Sequence, residues 1–104
     1  MARTIDYHGT SLEIRHAEDG NKGYFYVLLN NKVNSEMTYS RAGEQLIIID
    51  HTEVGDLMRG LGTGKQLVLA AVDWARETGT KIMPLCPFAK SVFEKNTDLH
   101  DVLK

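Results

Sequence analysis

The 104-residue sequence is poor in cysteine and proline, with one and two respectively, and it has no long apolar run. A single thiol, Cys86, cannot close an internal disulfide or build a cysteine-rich metal site. It fits a reducing, cytoplasmic setting. Apolar stretches such as residues 27–29 and 46–49 fall far short of the ~20 residues that cross a bilayer, so no membrane partner is expected. An excess of one charge is also missing. Twelve Lys and Arg face fourteen Asp and Glu, for a formal net charge of -2, and the two signs are mixed along the chain. That balance excludes the basic stripe of a nucleic-acid binder. Residues 1–10 carry Arg3, Asp6 and His8 where a secretion signal would need an apolar core. His8, His16 and His100 are isolated and lack metal-ligand spacing, so no metal is expected.

What is present is ordinary globular composition, 42% hydrophobic and 25% charged, in a length that suits one domain over residues 1–104. The first half reads as short strands. Residues 12–17 alternate apolar and polar and run into a turn cluster at residues 18–23. Residues 24–29 are rich in aromatic and branched side chains. Asn30-Asn31 then makes a two-residue hairpin turn, because Asn tolerates positive φ. Residues 33–41 return, Ala42-Gly43 turns, and residues 44–51 form a strand whose three consecutive Ile suggest burial on both faces. This is an antiparallel meander.

From Thr63 the period changes. Leu67, Ala70, Ala71, Trp74 and Ala75 recur at helical spacing, widened by Val68 and Val72. Gly79 suits the C-terminal cap, and Arg76 complements the helix dipole. Residues 81–86 read as a strand and residues 88–96 as a short helix, while the tail at 97–104 carries no signal. Strand, loop, helix, strand is a βαβ unit, so residues 44–51 and 81–86 should be parallel neighbours. The fold class is mixed α+β.

The most informative stretch is the loop Arg59-Gly60-Leu61-Gly62-Thr63-Gly64. Glycines between a strand and a strong helix let the backbone approach a ligand and adopt angles that other residues avoid. The first N–H groups of the helix lack intrahelical partners and its dipole favours an anion, so a phosphate is the natural guest. Arg59 and Lys65 flank the loop and could add charge-assisted bonds. A P-loop fits poorly, since Arg59 stands at its first glycine and Gln66 at its Ser/Thr. A dinucleotide fingerprint needs Gly or Ala at position 65, which is Lys. A tight turn that binds nothing is the plain alternative.

The loop matches the Arg/Gln-x-x-Gly-x-Gly/Ala pattern of the Gcn5-related N-acetyltransferase superfamily at every fixed position. The segment from Ile49 to Asn96, including Leu-Cys-Pro-Phe, resembles the minimal branch called YjdJ-type or acetyltransferase-like domains. The resemblance implies a mixed sheet whose parallel strands splay apart to admit acetyl-CoA, with a short C-terminal helix. It implies coenzyme A contacts at Arg59, Gly60, Leu61, Gly62, Thr63 and Gly64, and transfer of an acetyl group to an amine on a small molecule or protein; Lys65 beside the loop and Lys90 on the short helix are further, weaker candidates for a coenzyme phosphate. Pro84 and Pro87, which lack N–H donors, suit a strand at such a splay.

Acyl transfer needs a neutral amine, a stabilised oxyanion and a proton for the departing thiolate. Larger members of the superfamily usually draw that proton from a Tyr after the fifth strand. Here Tyr7, Tyr24, Tyr26 and Tyr39 all lie in the first half. Cys86, at the end of the strand over residues 81–86, could supply the proton or carry the acetyl group itself. His51 and Glu53, on one face at the end of the preceding strand, are the candidates for general base or amine attraction. The competing functions are a non-catalytic acyl-CoA binder and a small interaction module.

Overall fold

The computed structural model describes residues 3–104. Its main sheet has five strands, paired side by side in the order of the sequence. Strands β3 (Arg15–Asp19), β4 (Lys22–Leu29), β5 (Lys32–Arg41) and β6 (Leu46–Glu53) form the antiparallel meander read from the sequence. Their alternation is what folds them. Phe25 and Val27 of β4, Met37 and Tyr39 of β5 and Ile47 and Ile49 of β6 are fully or almost fully buried, whereas the intervening Tyr24, Tyr26, Thr38 and Ile48 stay half-buried on the other face. Asn30 and Asn31 both take positive φ, 54° and 64°, as a hairpin matching the strand twist requires.

The single strand expected over residues 12–17 is instead divided at Ile14. Residues before it form β2 (Thr10–Glu13), which pairs with β1 (Thr4–Tyr7) in a separate two-stranded sheet. Residues after it belong to β3. Ile14 is buried and its N–H donates to the Arg3 carbonyl at 2.9 Å. One apolar side chain in the core thus serves as the pivot by which the chain changes sheets.

Helix α1 (Thr63–Thr78) buries Leu67, Val68, Ala71, Val72 and Ala75 and packs across β4, β5 and β7. It ends at Gly79, whose φ of 68° places it in the left-handed cap and whose N–H returns to the Ala75 carbonyl. Strand β7 (Lys81–Pro84) then pairs with β6 in parallel, from Leu46↔Lys81 to Ile49↔Pro84. It stops two residues short of the expected end, because Cys86 is already the cap of α2 (Pro87–Lys95), with Pro87 at its first turn. The tail also has structure. Residues Thr97–Val102 form a 3₁₀ helix that buries Leu99 and Val102, and Leu103 bridges to Ile82 on the open edge of β7. No helix among the described residues is long and apolar enough to cross a membrane.

Candidate functional site

The parallel strands β6 and β7 part company at Ile49. Thr38 pairs with His51 and Tyr39 with Ile49, which leaves Asp50 as an extra residue in β6. Such a bulge bends and twists its strand, and the Thr38 and Ser40 hydroxyls hold this one by donating to the Asp50 carboxylate. On the other side, the Ile49 carbonyl accepts from both Leu85 N–H and Cys86 N–H, at 3.0 and 3.1 Å. Beyond that point β6 runs on to Glu53 while β7 has given way to α2. The two strands are therefore unpaired beyond Ile49 and Pro84, which opens the sheet between their C-terminal ends.

The glycine loop lies at the head of this opening. A short 3₁₀ turn, Asp56–Met58, plants Met58 in the core. The buried Thr63 hydroxyl donates to the Met58 carbonyl at 3.0 Å, tying the two ends of the loop together. Gly60 and Gly62 have φ of 80° and 75°, a region costly to any residue with a Cβ. Gly62 caps α1 with no side chain, and the first turn carries no acidic residue. The first N–H to find an intrahelical partner is that of Gln66, bonded to the Gly62 carbonyl at 3.0 Å. The donors ahead of it in the first turn have no intrahelical acceptor, and nothing anionic from the turn itself blocks them.

A cleft of about 310 Å³ runs along this turn, lined by the loop backbone together with Val54, Met58, Lys65 and Phe88. Arg59, Gly60, Gly62, Thr63, Gly64 and Lys65 all border it. Leu61 packs against the edge of the core instead. Lys90 borders a different hollow, of about 360 Å³, with Met83, Pro84, Glu94 and His100. Arg59 is steered by Asp56, 3.3 Å from its Nη1, and by the Val54 carbonyl. Both side chains of the pair are largely exposed, so water and salt weaken the attraction.

The other sequence-predicted residues fall into two pairs. Cys86 is buried and its thiol donates to the Thr52 hydroxyl at 3.4 Å. Thr52 sits directly across from the buried Met37, on the core side of β6. His51 and Glu53 occupy the opposite face, 3.5 Å from one another and mostly exposed. The strand's alternation therefore brings His51 to Glu53 and Thr52 to Cys86, and does not assemble the three predicted groups in one cluster. Thr52 belongs to no motif in the sequence, and its one signal is its place between His51 and Glu53, which puts it on the other face of β6.

The sequence profile described as GCN5-related N-acetyl-transferase matches residues 24–102, more than half of the chain. The protein belongs to this family. Protein NATD1 of Xenopus tropicalis is 31% identical over 98 residues, covering 92% of this chain and 90% of that protein. A GCN5-like candidate N-acetyltransferase from Staphylococcus aureus, solved by NMR, is 37% identical with a TM-score of 0.65 and 88% of each chain covered. The fold also matches a candidate streptothricin acetyltransferase from Bacillus anthracis solved in complex with acetyl coenzyme A, at 24% identity and a TM-score of 0.54, over 75% of this chain and 47% of that one. The α+β architecture implied by the family resemblance, including the parted parallel strands, is the one observed.

Proposed function

We propose that the protein is an acetyl-CoA-dependent N-acetyltransferase built as one minimal domain, working in the cytoplasm on an amine acceptor. The observation that carries this reading is the unblocked first turn of α1, opening through two positive-φ glycines into a cleft at the head of the β6–β7 opening. Backbone N–H groups and the helix dipole there suit the pyrophosphate of coenzyme A, with Arg59 and Lys65 close enough to add charge. The acyl end would extend toward the strand opening, where Cys86 and Thr52 meet. In the reaction the amine nitrogen bonds to the thioester carbon and the C–S bond breaks. Coenzyme A leaves as a thiolate and takes up a proton. Cys86 is the candidate for that proton, or for carrying the acetyl group between two steps. The His51–Glu53 pair is the candidate for accepting the amine's proton.

A non-catalytic acyl-CoA binder is the second reading. It is favoured by the placement of His51 and Glu53 on the face away from Cys86, and by the engagement of the buried Tyr39 hydroxyl with His16 rather than with the cleft.

Thermal unfolding with and without coenzyme A tests both. A ligand at a hundredfold excess over its Kd stabilises the folded state by about 2.7 kcal/mol, which for a domain of this size raises Tm by on the order of 10 °C. No shift at saturating coenzyme A or acetyl-CoA sinks both readings. A shift without turnover on any amine in an unbiased acceptor screen selects the second.

A further inference from the structure

Phe88, the second residue of α2, is 42% exposed and stands at the wall of the glycine-loop cleft. Its ring lies so close to Gly64 that a Cβ added there would sit 2.7 Å from Cζ. Gly64 differs from its two neighbouring glycines, since it lies within α1 and is not among the residues with positive φ. Nothing in the backbone conformation demands a glycine at that position. The missing side chain is explained by the ring that rests on it.

That seat puts Phe88 at the join between the glycine turn and the start of α2. On one side is the first turn of α1. On the other, two residues earlier in the chain, is Cys86, which caps the same helix and meets Thr52 inside the strand opening. A coenzyme A thioester with its pyrophosphate on the turn and its acyl end at the opening must run its pantetheine arm past this ring. A nucleotide carrying the same phosphates but no arm would meet the ring only where it rests on the turn. Ala89, Val92 and Phe93 of the same helix point into the core, so Phe88 is the apolar side chain that α2 presents to the cleft.

We propose that Phe88 is a specificity-determining residue, the wall against which the pantetheine arm packs, and that Gly64 is glycine to let the ring stand there. The proposal rests on reading the cleft as a coenzyme A site. Calorimetric titration of the whole chain with two probes separates the two ideas: coenzyme A, and adenosine 3′-phosphate 5′-diphosphate, which is coenzyme A without its pantetheine arm. Phe88→Ala should weaken coenzyme A on the order of tenfold, the loss expected when one face of an aromatic ring no longer covers apolar surface. The truncated nucleotide should change by no more than about twofold, and Phe88→Leu should fall between. Gly64→Ala should weaken coenzyme A in the wild-type background and have little effect beside Phe88→Ala, because the added methyl then meets no ring. Equal losses for both probes, no loss for either, or additive effects of the two substitutions overturn the assignment. If wild-type protein does not bind coenzyme A, the cleft reading falls and this inference with it. Should Phe88→Ala fail to fold, Phe88→Leu and Gly64→Ala carry the same comparison.

Discussion

At the scale of single residues, Cys86 has two physical roles to reconcile. It is 6% exposed and sits among the core residues, where a free cysteine usually serves only to pack. Yet its thiol is directed to Thr52, at the point where β6 leaves β7. A two-step transfer makes a definite demand: the sulfur must hold the acetyl group between steps. After brief incubation with acetyl-CoA and a rapid acid quench, mass spectrometry should then find one acetyl group on the wild-type chain and none on Cys86→Ser. The serine hydroxyl can still meet Thr52, so the variant should fold and the comparison is clean. An unmodified wild type, together with unchanged turnover in Cys86→Ser, would leave Cys86 a packing residue only.

At the scale of elements, the tail carries more of the fold than its sequence suggests. Leu99 and Val102 are each 3% exposed. Arg76 of α1 grips Asp101 through Nε and Nη2 at 2.9 and 2.8 Å, and Lys104 N–H donates to the Ile82 carbonyl on the edge of β7. The tail thereby covers a strand edge that would otherwise expose unpaired backbone groups. Leu99→Ala should cost about 2–5 kcal/mol in a urea titration, the usual range for emptying a buried leucine site. Arg76→Ala should cost far less, because that pair is exposed and screened. A reversed order would mean that the tail is held by charge and not by packing. These residues were illegible in the sequence for a physical reason: a six-residue 3₁₀ segment has too few turns to show a period. The meander, α1 and the parallel βαβ unit were legible, since alternation and helical spacing repeat several times in each. So was the glycine loop, whose composition is unusual for a plain turn. The division at Ile14 was not, because one continuous alternating pattern can serve two sheets. The pairing of Thr52 with Cys86 depends on the bulge at Asp50, which no local pattern announces.

At the scale of the whole molecule, one polar group links nearly every layer. The His16 ring of β3 stacks on Phe25 of β4, with centroids 4.1 Å apart, meets the edge of Trp74 of α1 at 5.0 Å, and has its Nε2 2.7 Å from the Tyr39 hydroxyl of β5. Arg41 lies 5.4 Å over Trp74 and pairs with Glu18 at 2.6 Å. Burial pushes the His16 pKa below its ordinary value; Glu18 opposes this and Arg41 reinforces it. The consequence for stability follows from proton counting. Between the lowered folded value and the ordinary ~6.5, the unfolded chain takes up a proton that the folded chain refuses. Stability from this group is therefore complete above about pH 6.5 and is lost as pH falls toward the folded value. Glu18, held down chiefly by its hydrogen bond from Arg41, adds a second loss at more acid pH. The Tyr39 hydroxyl, pushed up chiefly by burial, adds one on the alkaline side, as pH rises past its ordinary ~10. Urea midpoints measured from pH 8 to pH 5 should hold level and then decline. His16→Phe keeps an aromatic ring on Phe25 and cannot titrate, so its midpoint should be lower at neutral pH for want of the Tyr39 bond, yet nearly level over the same range. An unchanged slope in His16→Phe would assign the acid sensitivity to another group and reduce the aromatic cluster to packing alone.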